Sequence, residues 1–151
     1  NLSIDEATRL REAIIQHVED VGARNQWETE VDLPESLPQL RDNAAIALYR
    51  IVQESLTNAS KYAEAKHISV ALACTSQQLT LTVRDDGRGL PPDFDPGSIA
   101  GHHGLLGMEQ RVLALGGTIH VDSSPGQGVA IRIEVPLTTS VLAPPEETTE
   151  V

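Results

Sequence analysis

Glu54, Asn58 and Lys61 follow one another at steps of four and three residues, the spacing that lines side chains up on one face of a helix. A carboxylate and an amide oxygen are hard donors suited to Mg²⁺. An ammonium beside them suits a phosphate as a point charge, and Tyr62 adds a hydroxyl donor at the end of the row. A solvated helix face would carry the same residues. A second group, Asp85-Asp86-Gly87-Arg88-Gly89, comes directly after an apolar run. A carboxylate at a strand end can accept a hydrogen bond from an exocyclic amine, and the glycines would let a flat ring lie against the main chain. Asp-Gly is equally a standard turn pair. The third group, Gly101-His102-His103-Gly104-Leu105-Leu106-Gly107-Met108, leads from a loop into a helix. Free amides at a helix start bind phosphate, and glycine leaves the approach open; a flexible loop with a glycine start is the plainer reading. The paired histidines lack a third ligand and read as loop residues. Last, Gly126-Gln127-Gly128 is a turn that either lines a pocket or is only a turn.

These groups must be positioned by regular elements. Ser3 and Glu6 suit a helix start with a capping box, Leu10, Ile14, Val18 and Val21 continue at helical spacing, and Gly22 is a plausible stop. Residues 27–33 read as a short strand. From about Arg41 to Tyr62 the spacing predicts a long helix with Ala45, Leu48, Val52, Leu56, Ala59 and Ala63 on its apolar stripe. Glu54, Asn58 and Lys61 then lie roughly opposite. Residues 68–73 and 79–84 read as a hairpin. Residues 85–103 break all periodicity, and so long a loop in a compact domain is usually functional or disordered. Residues 105–115 read as a helix closed by Gly116-Gly117. Two strands follow, 118–122 and 129–135, the latter with Val129, Ile131, Ile133 and Val135 on one face. The Thr-, Pro- and Glu-rich stretch 138–151 reads as a frayed tail. Helices with apolar stripes and mostly antiparallel strands predict a two-layer α/β sandwich, helices on one sheet face.

Composition sets the bounds. A length of 151 residues suits one domain, and 40% hydrophobic residues suffice for a core. Eleven Lys and Arg against 22 Asp and Glu give a net charge of −11. That argues against direct nucleic-acid binding, whose affinity comes from basic side chains on phosphates, and against a polybasic membrane-surface module. One cysteine, Cys74, can form neither an internal disulfide nor a cysteine metal site. No apolar run approaches the roughly 20 residues needed to span a bilayer. Ten of the eleven glycines lie between Gly87 and Gly128, so the second half has built something around close backbone approach.

The order of the groups is more telling than any one of them. Tyr49 to Ala63 resembles the N box, Asp85 to Gly89 the G1 box and Gly104 to Met108 the G2 box of the ATP-binding domain of histidine kinases, within the wider family of DNA gyrase B, Hsp90 and MutL. The segments RIVQESLTNASKYA, DDGRGL and HGLLGMEQRV are most similar to the nitrate-sensor and hexose-phosphate-sensor type, which usually drive LuxR-type regulators. The resemblance covers roughly residues 40–137. It implies the Bergerat fold, a mixed sheet of about five strands under about three helices, with residues 1–137 as the catalytic domain. It also implies ATP and Mg²⁺ as cofactors. Asn58 would hold the metal with Glu54 nearby, and Lys61 and Tyr62 would touch phosphates. Asp85 would bind the adenine amino group, helped by Gly87 and Gly89. Residues from about Arg88 to His103, Leu90 among them, would form the ATP lid. Gly104, Leu105 and Gly107 would support the phosphates or wall the pocket. Two positions depart from the pattern: Val129 stands where Thr is common after the GxG turn, and Glu109 where Arg is common.

What the resemblance implies is a histidine kinase catalytic domain that donates the γ-phosphate of Mg-ATP to a histidine on a separate dimerisation domain. His17, followed by Val18, lacks the acid and the two-helix hairpin such an acceptor needs, so it reads as a structural or surface residue with the acceptor upstream. The expected partners are that dimerisation domain and a response regulator of LuxR type. The expected setting is the cytoplasmic part of a membrane-bound sensor, with no membrane contact by this domain. Two other readings stand beside it: a serine kinase of the anti-sigma-factor type, and a nucleotide-sensing or interaction module without transfer activity.

Overall fold

The computed structural model describes residues 2–88, 105–124 and 126–144. Three helices, α1 (Leu2–Asn25), α2 (Asp42–Asn58) and α3 (Leu105–Ala114), accompany five strands: β1 (Glu28–Asp32), β2 (His67–Cys74), β3 (Gln78–Asp85), β4 (Thr118–Ser124) and β5 (Gly128–Pro136). The strands form one sheet in the order β1-β2-β3-β5-β4. β1 and β2 are parallel and joined through α2, as a parallel pair requires a crossover. The other three pairings are antiparallel. This is the mixed two-layer sandwich expected.

Alternation decides which face is covered. Ile68, Val70 and Leu72 on β2, Leu79, Leu81 and Val83 on β3, and Ile131, Ile133 and Val135 on β5 are all buried. Their neighbours in sequence point to the open face, as a period of two demands. Against this apolar face lie Ile14 and Val18 of α1, Leu48, Ile51, Val52 and Leu56 of α2, and Met108 and Val112 of α3, in one continuous core. Such aliphatic burial is the main favourable term in holding the layers together.

Four expectations change. Gly22 does not stop α1, which runs on to Asn25. A Cβ at Gly22 would stand 2.6 Å from Thr29 Cγ2, so this glycine lets β1 pass close to the helix. The α2 stripe is set by Ala44 rather than Ala45, with Ile51 and Ser55 also buried. Regular helix ends at Asn58, and residues Ala59–Ala63 form a single widened π turn that closes at Glu64 with φ 51°. Ser60 Oγ donates to Asn25 Oδ1 at 3.0 Å, fixing that turn against the end of α1. Finally, the expected tail is packed over residues 138–144. Val141 is buried, its carbonyl accepts the Arg41 N–H at 2.8 Å, and the Ala143 N–H donates to the Gln39 carbonyl at 2.8 Å. Residues 145–151 lie outside the described residues.

Candidate functional site

Asp85 continues the buried row Leu79, Leu81, Val83 to the end of β3, so the pleat turns its carboxylate toward the helix layer. The carboxylate is partly buried. Its Oδ1 accepts the N–H of Gly87 at 2.9 Å and that of Val129 at 3.3 Å. Burial pushes its pKa up, the two backbone donors pull it back, and the neighbouring Asp86 adds to the rise; the result stays above the ordinary carboxylate value. The turn between β4 and β5 clasps this corner. The Gly126 N–H donates to the Arg88 carbonyl at 2.8 Å. Gly128 has φ +82°, and a Cβ there would run into the Asp85 backbone carbonyl. The Gly126-Gln127-Gly128 turn is therefore part of the wall that holds Asp85. The contact from Val129 is made by its main chain, so a valine there still supplies it.

Asp86, one residue on, faces the opposite side of the sheet. Its Oδ1 accepts the N–H groups of Lys66 and His67 at 2.8 and 2.9 Å. Its Oδ2 lies 2.6 Å from His67 Nδ1, and His67 Nε2 lies 2.8 Å from Glu28 Oε2. Desolvation pushes the Asp86 carboxyl up, but the two backbone N–H groups and the imidazole outweigh it and bring it down to about 2. The hydrogen bond to Asp86 raises the His67 imidazole; desolvation opposes this, and the charges of Asp86 and Glu28 add to the rise.

The helix side supplies the other groups. Glu54 and Asn58 are half-buried on α2, and Lys61 is exposed in the π turn. Ser55 is buried between them; its Oγ donates to the Ile51 carbonyl at 2.8 Å and meets Met108 Sδ at 3.6 Å. That contact seats the first turn of α3, with buried Leu105 and half-buried Gly107, one turn before Asn58. β2 starts just after the π turn, and its Ile68 is the register partner of Asp85. The end of α2, the start of α3 and the end of β3 thus meet at one end of the sandwich. Tyr62 belongs to the π turn by its backbone. The Tyr62 side chain, Gly89, Leu90, Gly104 and the expected lid beyond Arg88 lie outside the described residues. Glu109 is half-buried on α3, and Arg111 Nη1 donates to the Gly107 carbonyl at 3.4 Å.

A cavity of about 820 Å³ also opens at this end, lined by Glu28, Glu30, His67, Arg84, Asp85, Asp86 and Asp122 among others. Asp85 apart, these residues belong to the open face. Five carboxylates against one guanidinium and one imidazole have the wrong sign for a polyphosphate. The helix side of Asp85 is the better place for one. His17 packs edge-on against Tyr49, ring centroids 5.9 Å apart, with Nε2 buried and without a hydrogen-bond partner. Burial lowers its pKa, with further lowering by Arg24 and a smaller opposing effect of Asp20. It is a packing residue of the α1–α2 interface.

The arrangement defines a mixed two-layer α/β sandwich, and comparison with known proteins places it. Residues 43–139 match the histidine kinase-, DNA gyrase B- and HSP90-like ATPase family, and the chain belongs to that family. It is 36% identical over 99 residues to the signal transduction histidine-protein kinase/phosphatase DegS of Brevibacillus brevis, covering 65% of this chain and 25% of that protein. It is likewise 36% identical over 94 residues to the histidine-protein kinase/phosphatase UhpB of Salmonella typhimurium, covering 62% of this chain and 18% of that protein. Among solved structures, the histidine kinase domain of the blue-light activated histidine kinase EL346 of Erythrobacter litoralis superimposes with a TM-score of 0.72 at 26% identity, covering 87% of this chain and 62% of that one. The chain spans about a quarter or less of the length of these two relatives. Among the described residues, no helix is long and apolar enough to cross a membrane.

Proposed function

We propose that this domain binds Mg²⁺-ATP at the junction of α2, α3 and β3 and donates the γ-phosphoryl group to a histidine on a dimerisation domain. The observation that carries the reading is Asp85, a partly buried carboxylate with Oδ1 held by two backbone N–H groups and, among the described residues, Oδ2 left to accept an amine. The adenine 6-amino group is such a donor, and Gly87 leaves room for the ring. Lys61 and the α3 N-terminal turn would hold phosphate oxygens.

Mg²⁺ fits the donor set. Glu54 and Asn58 offer hard oxygens one helical turn apart on a half-buried face. No group of three or more His, Cys, Asp or Glu among the described residues could cage a metal by itself. That is the mode expected of Mg²⁺, which enters with substrate phosphates and one or two protein oxygens. When bound, the ion neutralises charge on the phosphates during transfer. With a net charge of −11, the chain depends on such local neutralisation. Asp85 fixes the base, Asn58 and Lys61 orient the triphosphate, and the phosphoryl acceptor comes from another domain.

The relatives' names support a two-component role. By that analogy the protein partner is a response regulator, of LuxR type if the UhpB likeness extends that far, and the setting is the cytoplasmic part of a membrane sensor. The test is a calorimetric titration of this chain with a non-hydrolysable ATP analogue, with and without Mg²⁺, followed by ATP-dependent labelling of a purified histidine-hairpin domain. Saturable Mg²⁺-dependent binding and an acid-labile phosphohistidine are expected. Binding without transfer would favour a nucleotide-sensing module, and an acid-stable phosphoserine on an anti-sigma antagonist would favour the serine kinase.

A further inference from the structure

Asp86 is exposed to 45% at its side chain, yet among the described residues it is the most heavily bonded carboxylate of this end of the sheet. Two backbone N–H groups and one imidazole nitrogen converge on it. Its own N–H donates to the His67 carbonyl at 3.3 Å. Glu28 is the register partner of His67 across the parallel β1–β2 pair. A row of carboxylate, imidazole and carboxylate therefore runs from β1 through β2 to the turn after β3. A simple Asp-Gly turn needs none of this, because the Gly87 N–H to Asp85 closes it already.

We propose that Asp86, braced by His67 and Glu28, is the positioning residue for Asp85, and that protonated His67 tightens the brace. Asp86 ties the Asp85–Gly87 turn to the start of β2 on the open face, which keeps the Asp85 carboxylate turned to the helix side. The imidazolium can donate one N–H to each carboxylate. Neutral imidazole has a single N–H, so one carboxylate then meets a lone pair and is released. The other charged groups around His67 are Glu30 on β1, Arg84 and Asp85 on β3 and Asp122 on β4, which line the same cleft, and Lys66 beside it. Acids outnumber bases there, in keeping with a proton held above the ordinary histidine range. The brace holds below the raised His67 pKa and slackens as pH rises through it. Nucleotide affinity follows.

This proposal rests on the reading that Asp85 binds the adenine amine, and the experiment separates the two. Affinity for a non-hydrolysable ATP analogue with Mg²⁺ is measured from about pH 5.5 to 8.5, the range a histidine spans, for the unaltered chain and for Asp86→Asn, His67→Gln and Asp85→Asn. The unaltered chain should lose about threefold more affinity across that range than His67→Gln, in which nothing at position 67 titrates. Asp86→Asn should bind about fivefold more weakly at the acid end, the size of one net hydrogen bond, with a flattened profile. The titration of the phosphates is common to all variants and cancels. Superimposable profiles would overturn the positioning role. If Asp85→Asn keeps full affinity, the adenine reading falls and this proposal with it. If Asp85→Asn loses affinity while the other profiles coincide, the positioning role alone falls. Thermal melts establish that each variant folds; His67 is exposed, so His67→Gln carries the test should Asp86→Asn fail.

Discussion

The two halves of the proposed site are built differently. The half proposed to hold the base, the base half, is made of main chain. Gly87 and Val129 give their N–H groups to Asp85, Gly126 gives its N–H to Arg88, and Gly128 leaves no room for a side chain. The phosphate half is made of side chains set on a helix: half-buried Glu54 and Asn58, and exposed Lys61 in the π turn. Ser55, buried against Met108, ties that surface into the core. The base half is thus part of what makes the sheet close, while the phosphate half is mounted on a scaffold that stands without it. Damage to the main chain of the first should cost stability and binding together. Damage to the second should cost binding alone.

The largest effect is expected at the β4–β5 turn, where two neighbouring glycines differ in one respect. Both have positive φ, +78° at Gly126 and +82° at Gly128. A Cβ at Gly126 meets nothing within 4 Å, whereas one at Gly128 collides with the Asp85 main chain. Gly126→Ala should cost about 1 kcal/mol, the left-handed backbone penalty. Gly128→Ala adds a backbone collision that no rotamer relieves, for about 3 kcal/mol or more in all. Urea denaturation of the two variants measures the difference. Equal midpoints would show that the close approach of Gly128 to the Asp85 main chain does not hold the base half together.

The next effect belongs to the phosphate half. Lys61→Ala removes an exposed ammonium and should leave stability within about 0.5 kcal/mol. It should weaken binding of the ATP analogue by about 1 kcal/mol, roughly fivefold, and leave adenosine binding unchanged. Asn58→Ala should weaken the Mg²⁺-dependent part of binding in the same direction. A loss of adenosine affinity in either variant would show that the two halves are not separable.

Local patterns explain why some of this was legible in the sequence. The place of Asp85 at a strand end could be read because it follows an alternating strand and precedes two glycines. The order of the three boxes named the family, and the alternation of β2, β3 and β5 gave the sheet its buried face. What escaped was set by residues far apart in the chain. Gly22 looks like a helix stop by composition, but its reason is Thr29 on the next element. The π turn at Ala59–Ala63 leaves no mark on a 3.6-residue pattern, so the helix was expected to run straight to Tyr62. The segment 138–144 is polar enough to read as frayed, yet Val141 is buried beside Arg41 and Leu142 bridges Leu40. Glu28, His67 and Asp86 become neighbours only through the sheet register.

The smallest effect sharpens the contrast within a single pair of residues. Asp86 has a folded pKa of about 2 against an ordinary 3.8. A depressed carboxylate contributes stability that is present above 3.8 and lost as pH falls toward 2. Because the side chain is nearly half exposed, solvent screening holds that contribution under about 1 kcal/mol. Asp85 has the opposite sign. Burial raises its pKa, so the fold favours the neutral form, and the penalty for its charge grows as pH rises above the ordinary value. At neutral pH, Asp86→Asn should therefore lower the melting temperature, and Asp85→Asn should leave it unchanged or raise it. Below about pH 3.8 both differences should shrink. Melting curves of the two variants against pH test this directly. A common sign for both would mean that the adjacent carboxylates share one environment, and that the sheet does not divide a binding aspartate from a bracing one.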